Sequence, residues 1–424
     1  MLRATRTSAG GRLFRLLIGA LILVSAAAQF ALVPVMPVYA RRFGLSGFEQ
    51  GMVLGATGLA TLVVSVPAGT LSDRFGARRI TLAAGLLMAA ATAAQALAGD
   101  FPALVAARLA FGAGYGMVWT AGLCWLAGAM AGGPPALGGS IASAGVGGVV
   151  GPAVSGALSQ SLGLAVPLLA TAAIFAVITA GLAGLRVRPG PAAPYQASTP
   201  GLTAAAGNRN LIGAAAAVVA AGLSTGVCAL LVPVRLHAYG ISPGQTGLAF
   251  AAAGILFAIG SALTAAVGRR AVSLPVACGA MLVQAAALSL AVVGTTPLAL
   301  VAMLCVTTAS RSVLWTVSYP LAASGAASTG LGASVGLLNV IWAATAVLGP
   351  LGAGAAAEHL GASAAFGLTQ AACAAALAVT AVLTWRPAPA APDSSPTPRR
   401  GRTRSPSARP SRSVAGRSRP RCRP

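Results

Sequence analysis

Two arginines lie inside long apolar segments, and aromatic side chains follow each of them at helical spacing. Arg311 is followed by Trp315, and Arg108 is followed by Tyr115 and Trp119. Residues three or four apart share one face of a helix. A guanidinium presents a fork of N–H donors that fits a carboxylate or a phosphate. The pattern therefore indicates either a ligand-binding face on two helices or a packed aromatic stripe beside a charge.

The other titratable residues form no catalytic or metal-binding set. The six cysteines contain no CxxC pair, and five of them lie in apolar runs, where cysteine behaves as a small hydrophobic residue. We therefore expect no enzyme activity, no metal site and no cofactor. The acids and histidines are placed in loops, at helix ends or in the C-terminal tail: Glu49, Asp73, Asp100, Glu358, Asp393, His237 and His359.

The distribution of apolar residues predicts a helical membrane protein. Of the 424 residues, 57% are hydrophobic and 8% are charged, and neither a charged residue nor a histidine occurs from Leu109 to Leu185. A bilayer core needs roughly 20 apolar residues per helical crossing, and its backbone groups must pair internally. Twelve transmembrane helices are predicted, over 14–38, 50–71, 80–98, 101–122, 139–159, 164–185, 210–234, 245–267, 273–293, 297–320, 331–356 and 362–385.

The arginines orient these spans. If both termini are cytoplasmic, thirteen arginines before the tail lie on the inner side and three on the outer side. The start of the chain also resembles a signal peptide, but its apolar stretch continues to about Val38. We interpret it as the first span of a multi-pass protein of the cell membrane with both termini in the cytoplasm.

The two halves of the chain repeat. The sequence Leu-Val-Pro-Val at 32–35 recurs at 231–234, and Gly151-Pro152 recurs as Gly349-Pro350. The offset of 198 or 199 residues predicts two pseudo-symmetric six-helix bundles in the same orientation, as in many carriers with a substrate site at mid-membrane. The predicted parts are an N-terminal bundle (1–188), a cytoplasmic linker (189–208), a C-terminal bundle (209–386) and a disordered basic tail (387–424).

The segment GTLSDRFGARR at 69–79 resembles the G-x-L-a-D-r-x-G-r-k signature of the major facilitator superfamily, with a departure at Ala77. Gly69 permits close helix approach and Gly76 a tight turn. Asp73 can pair with arginines or face a helix N-terminus. A contact of this kind that forms in only one conformation acts as a gate, whereas a positive-inside anchor, the alternative, leaves the aspartate unexplained. The gating role is assigned to Gly69, Asp73, Arg74, Gly76 and Arg78.

Three further elements extend the resemblance: that of span 4 to the superfamily as a whole, that of span 5 to its export-type members, and that of span 1 to its twelve-span drug:proton antiporters. Arg108 and Gly112 match R-x-x-x-G in span 4, and Pro34 and Pro37 match an element that ends span 1. In span 5, GGVVGPAVSG at 147–156 resembles g-x-x-x-G-P-x-x-G-G. Its small residues predict a helix contact face, and its proline allows a bend. This helix-bending motif comprises Gly147, Gly151, Pro152 and Gly156.

The resemblance covers residues 14–386 and implies a twelve-helix secondary transporter that works by alternating access. The activity we expect is export of a small organic compound, such as a drug or a secondary metabolite. Arg108 could instead snorkel to the membrane surface, and polar side chains such as Ser224, Thr225 and Gln284 could serve helix–helix hydrogen bonds. The residues expected to line the substrate route are Gln29, Arg108, Tyr115, Trp119, Arg311, Trp315 and Asn339.

Energy coupling leaves a rival hypothesis open. A carboxylate or histidine inside the membrane is the usual proton carrier, and none is placed there. Protons borne by the substrate or by Asp73 could still drive export. The rival is a facilitator or exchanger of an anionic metabolite held by Arg108 and Arg311. A receptor or a membrane enzyme is poorly supported.

The net charge of +23 does not indicate nucleic-acid binding. Ten arginines lie between Arg399 and Arg423, in a Pro/Ser/Arg-rich segment that cannot form a core. Such a tail favours anionic lipid headgroups. The expected partners are a small-molecule substrate, membrane lipid and protons as the candidate coupling ion, without nucleic acid, and we expect a monomer.

Overall fold

The computed structural model describes residues 9–129, 135–185, 208–294, 296–324 and 331–385. The predicted tail over 387–424 lies outside these ranges, and so does the linker over 189–208 except for Asn208. Within the described ranges the chain forms helices and turns without a β-strand. The prediction of an all-α fold is therefore confirmed.

Helices account for nearly all of the described first half. A π-helical turn, Val118–Gly122, extends α5 into α6. The helices are α1 (Ala9–Ala31), α2 (Met36–Phe43), α3 (Gly47–Phe75), α4 (Ala77–Leu97), α5 (Phe101–Met117), α6 (Leu123–Ala129), α7 (Pro135–Leu162) and α8 (Ala165–Gly184).

The described second half continues with six long helices. Across the described residues of both halves, eleven helices are long and apolar enough to cross a membrane. The 28-residue helix α7 stands at the remaining predicted span, the fifth. The second-half helices are α9 (Arg209–Ala238), α10 (Pro243–Val267), α11 (Leu274–Val293), α12 (Pro297–Ser324), α13 (Leu331–Leu360) and α14 (Ala362–Trp385).

The first span is broken where a continuous helix to Val38 was predicted. Helix α1 ends at Ala31, and α2 begins after four residues of turn. Because Pro34 and Pro37 both lack a backbone N–H, the helical ladder cannot run through this segment. The repeat-related helix α9 has only Pro233 at this point and continues past it. The prediction for span 1 was therefore wrong at its C-terminal end.

Turn chemistry repeats between the halves. Ser46 caps α3 in a capping box with Glu49, and Ser242 caps α10 in a capping box with Gln245. Each capping box sets where the second membrane span of its half begins. The described glycines with positive φ also form three repeat-related pairs: Gly44 and Gly240, Gly76 and Gly268, and Gly163 and Gly361.

The helices pair in the same order in both halves. Helix α1 packs on α7, α3 on α5, and α4 on α8, and the second half repeats these pairs as α9 on α13, α10 on α12, and α11 on α14. One apolar cluster, which includes Leu32 and Phe366, contains residues of both halves. Two other clusters, around Phe111 and around Val317, each belong to a single half. The halves therefore share a core at one end of the molecule and have separate cores at the other.

Helix α7 packs on α1 through glycine, as the predicted contact face requires. A methyl group at Gly147 would collide with the carbonyl of Leu23, and one at Gly151 with the carbonyl of Ala27. On the same side of α7, Ser155 donates a hydrogen bond of 2.6 Å to the carbonyl of Ala31. Small residues thus let the two backbones approach, which is how helices associate in lipid.

Replacing Gly151 by valine tests this contact. The added side chain has no room against α1, so we expect the free energy of unfolding to fall by about 1–3 kcal/mol. The measurement is the Tm of the purified protein. Gly145→Val is the matched control, because no atom lies within 4 Å of a Cβ built at Gly145. Equal Tm values for the two variants would contradict the packing.

Candidate functional site

Helices α3 and α13 cross where α3 begins, which we call the closed end of the molecule. A Cβ at Gly47 would collide with the backbone of Gly354, and one at Gly51 with the carbonyl of Pro350. The contact extends to Gly58, where a Cβ would lie 3.1 Å from the Cβ of Ala346. Glycine is therefore required along this face of α3, and the two halves meet there backbone to backbone.

Helices α7 and α10 form the second crossing at the closed end, related to the first by the sequence repeat. A Cβ at Gly247 would collide with the carbonyl of Pro152, and one at Gly156 with the carbonyl of Pro243. Pro152 and Gly156 belong to the predicted helix-bending motif, and Pro152 corresponds to Pro350 in the other crossing. The motif thus contributes to a contact between the halves as well as to the packing of α7 on α1.

One carboxylate reinforces the closed end across the two halves. Glu358, in the last turn of α13, accepts a hydrogen bond of 3.0 Å from the backbone N–H of Phe48 in the first turn of α3. That N–H is one of the donors that a helix N-terminus leaves without an intrahelical partner. The repeat-related side chain on α7 is Gln160, whose Oε1 lies beside Gly244 at the start of α10. The closed end therefore has a charged contact at one crossing and a neutral contact at the other.

The opposite end of the molecule carries the predicted gating motif. Asp73 and Arg74 are exposed there, and Asp73 forms neither a hydrogen bond nor an ion pair with any described residue. A Cβ at Gly69 would meet only Thr120 Cγ2, at 3.9 Å, so the close helix approach expected at Gly69 is absent from this structure. Gly76 has φ +89°, in agreement with the predicted tight turn.

Arg78 fixes the base of the motif. Its Nη2 donates to the carbonyl of Ala183 at 2.6 Å and to the carbonyl of Leu185 at 3.4 Å. These carbonyls lie at the C-terminus of α8, where the helix dipole favours a cation. Arg78 therefore binds the turn to its own half, while Asp73 is left available for another partner.

Arg108 is sealed inside the first half. The side chain is fully buried, which excludes snorkelling in this structure. Its Nε donates to the carbonyl of Val53 at 3.3 Å and its Nη2 to the carbonyl of Gln29 at 3.5 Å. The guanidinium carbon lies 5.5 Å from the ring centroid of Phe111, and Nη1 has no partner among the described residues. Arg108 thus links α5 to α3 and α1.

Arg311 has a more open environment at the middle of α12. It is half-buried, and its Nη1 donates to Thr225 Oγ1 on α9 at 3.0 Å. The guanidinium carbon lies 5.8 Å from the ring centroid of Phe257 on α10. A guanidinium over an aromatic face is a cation–π contact. Arg311 therefore faces the space between three helices of the second half.

Aromatic rings continue from Arg311 along α12. The Trp315 ring lies 4.6 Å from that of Trp342 on α13 and 5.3 Å from that of Tyr319. The hydroxyl of Tyr319 donates to Asn339 Oδ1 at 2.8 Å. Trp315, Tyr319 and Trp342 are half-buried and Asn339 is exposed, so the row leads from the middle of α12 to an open surface.

The first-half candidates form a separate group. Tyr115 and Trp119 stack at 5.9 Å, and Trp119 lies in the π-helical turn. Such turns often occur at functional sites. Trp119 Nε1 and Gln29 Oε1 are buried without a partner among the described residues. The route residues predicted from the sequence thus fall into one set in each half.

Sequence reasoning missed three residues of these sites. Phe257 reaches Arg311 from another helix, and no spacing in the sequence signals that contact. Trp342 lies three residues after Asn339 on α13, so helical spacing could have found it. Glu358 lies eight residues after the second-half proline, as Gln160 does after Pro152, and the repeat could have placed it at the end of the crossing.

The sequence matches a family model and is similar to stretches of named proteins. A family model described as Major Facilitator Superfamily matches residues 18–333 and 214–420. The arabinose-proton symporter of Bacillus subtilis (strain 168) is 36% identical over 101 residues, which are 24% of this chain and 21% of the symporter. The quinolone resistance protein NorA of Staphylococcus aureus (strain Mu50 / ATCC 700699) is 31% identical over 86 residues, 20% of this chain and 22% of NorA. The chain therefore matches only about a fifth of the length of these two relatives.

Solved structures with the same fold extend over most of the chain. A bacterial homologue of the human lysosomal transporter Spinster, in an inward-facing and occupied conformation, has a TM-score of 0.71 at 15% identity and covers 88% of this chain and 98% of its own. Its unoccupied form has a TM-score of 0.69 at 15% identity, with coverages of 89% and 96%. These similarities concern the fold. With the family match over most of its length, the chain belongs to the Major Facilitator Superfamily and is a multi-pass membrane transporter rather than an enzyme.

Proposed function

We propose that this transporter exports a small organic compound from the cytoplasm by alternating access, with protons as the candidate coupling ion. The observation that carries the proposal is the asymmetry of the molecule. The halves share a core and two glycine-lined crossings at the closed end, whereas their cores are separate at the other end. Two half-bundles joined at one end are suited to rocking about a site between them.

The direction of the proposed export rests on the charge distribution and on sequence resemblance. The excess of arginines beside the gating motif assigns that end to the cytoplasm, the closed end to the outside and both termini to the cytoplasm. The motifs in spans 1, 4 and 5 favour an exporter, and the name of NorA includes quinolone resistance. The name of the other relative, the arabinose-proton symporter, includes sugar and proton symport instead.

The rival activity is facilitation or exchange of an anionic metabolite. Arg311 favours it, because this arginine is half-buried and pairs with none of the four acids in the described residues. The two activities differ in their energy source. Export stops when the proton gradient is collapsed, whereas counterflow of a labelled organic anion in proteoliposomes is indifferent to that gradient.

A compound-retention screen tests the export proposal. Deletion of the transporter is expected to raise the cellular retention of at least one toxic compound, and collapse of the proton gradient should mimic the deletion. Gly51→Val should not restore export, because the closed end cannot pack around the added side chain. Gly352→Val is the matched control and should restore it, since no atom lies within 4 Å of a Cβ there. Unchanged retention of every compound would refute export.

Glu358 is expected to stabilise the closed end. In a variant without native cysteines, Val347→Cys places a thiol at a half-buried position of α13 whose backbone lies against Gly55. Glu358→Gln removes the anion from the α3 N-terminus and should raise the labelling rate of that thiol by an impermeant maleimide about threefold, a shift of under 1 kcal/mol. Gln160→Ala, at the uncharged crossing, should leave the rate unchanged. A slower reaction in Glu358→Gln would contradict the role of the carboxylate.

Asp73 is expected to act in the opposite conformation. In this structure, in which the two halves are in contact at the closed end, Asp73 has no hydrogen-bond or ion-pair partner among the described residues. If Asp73 forms its gating contact only when the two halves have separated at the closed end, Asp73→Asn should disfavour that conformation. The thiol at position 347 should then be labelled more slowly. The control is Arg79→Gln, which changes an exposed charge next to the motif. Faster labelling in Asp73→Asn would show that the aspartate holds the present conformation instead.

A further inference from the structure

Arg108 and Arg311, the two arginines inside the membrane-spanning helices, have different surroundings, and this difference identifies a candidate ligand site. The charge of Arg108 is enclosed by its own half, where two backbone carbonyls accept its hydrogen bonds. Arg311 is half-buried, and the hydroxyl of Thr225 is its single hydrogen-bond acceptor among the described residues. Arg108 is therefore a structural link, whereas Arg311 retains donors for a ligand.

The geometry around Arg311 leaves part of its donor fork free. Thr225 donates its own proton to the carbonyl of Ala221 at 2.6 Å, so its oxygen is oriented to accept from Arg311 Nη1. The remaining N–H groups of Arg311 have no acceptor in the described part of the chain. Nη1 of Arg108 is fully buried and unpaired, whereas no nitrogen of Arg311 is both buried and unpaired. A guanidinium with free N–H donors binds an anion strongly at a site from which water is partly excluded.

No counter-charge from the described chain competes for this position. Glu49 and Glu358 lie at the closed end, Asp100 caps the N-terminus of α5, and Asp73 is exposed at the opposite end. None of these four carboxylates hydrogen-bonds to Arg311. Arg311 therefore lies in a region of positive charge, which favours an anionic ligand and disfavours a cationic one.

Aromatic rings lie beside Arg311 and one helical turn further along α12. Phe257 lies 5.8 Å from the guanidinium, and one helical turn further along α12 is Trp315, whose ring packs against that of Trp342. These rings come from α10, α12 and α13, and all three side chains are half-buried. Planar aromatic groups pack on such faces in offset or edge-on geometry.

We propose that Arg311, held in place by Thr225, binds the anionic group of the transported compound, and that the rings of Phe257, Trp315 and Trp342 hold its aromatic part. The ligand class is an aromatic carboxylate or sulfonate. The inference rests on the proposed transport function for its physiological meaning, but it is independent of direction and of coupling. The site opens toward Tyr319 and Asn339, at the end away from the closed crossings.

Equilibrium binding to the purified full-length protein in lipid nanodiscs tests the site. The probes share one ring system and differ in charge: labelled 2-naphthoate, naphthalene-2-sulfonate, 2-naphthylmethylamine and 2-naphthylmethanol. We expect the two anions to bind at least tenfold more tightly than the amine and the alcohol. This comparison uses the wild-type chain, so it holds whatever a variant does to folding.

Variants then assign the preference to Arg311. Arg311→Gln should weaken naphthoate binding about tenfold or more, whereas Arg311→Lys, which keeps the charge but not the fork, should weaken it less. Arg269→Gln removes an exposed charge elsewhere in the same half and should leave the affinity unchanged. Trp342→Leu should weaken the binding of both anions and leave the preference for the negatively charged probes intact.

Two outcomes would overturn the proposal. One is the absence of an anion preference, including the case in which none of the anions binds. The other is naphthoate binding to folded Arg311→Gln as tightly as to the wild type. Failure of this inference is distinct from failure of export. Binding without any change in cellular retention would refute export alone, and export of cations without anion binding would refute the ligand class alone.

Discussion

Backbone contact between small residues at helix crossings is the interaction on which the rest of the structure depends. Lipid tails are as apolar as the side chains they contact, so moving apolar side chains from lipid into a helix interface contributes little free energy. Helices in a bilayer therefore associate through close packing and hydrogen bonds. Gly51 against Pro350 and Gly247 against Pro152 bring the halves together with little side-chain interdigitation. Such surfaces separate without extracting large side chains from pockets, and the same crossing is built twice because the chain repeats.

The charged residues have different roles at the helix ends and inside the membrane. Carboxylates are placed at helix ends, where Glu358 bonds to the first turn of a facing helix. Within the membrane, Arg108 donates to two carbonyls of its own half, and Arg311 keeps donors toward an aromatic row. Charge buried without partners is costly in lipid, so an incompletely satisfied arginine is expected where it has a function. The different neighbours of the two arginines thus give them different roles.

The sequence predicts the helices well because lipid imposes a simple rule of length and apolarity. It also predicts the twofold repeat, the tight turn at Gly76 and the glycine contact of α7. The break between α1 and α2 was missed, since hydropathy does not register the lost N–H groups of Pro34 and Pro37. Contacts between distant helices were missed for another reason: Phe257 beside Arg311 depends on packing that no local spacing encodes.

The central claim is that the halves rock about the site between them. Spin-label distances across both ends of one reconstituted sample test it most directly. Labels at the exposed positions Leu162 and Leu360 span the closed end, and labels at Phe75 and Val267 span the opposite end. When ligand or pH shifts the conformation, the first distance should lengthen as the second shortens. Two distances that change in the same direction, or do not change in a transporter that is turning over, would contradict the account.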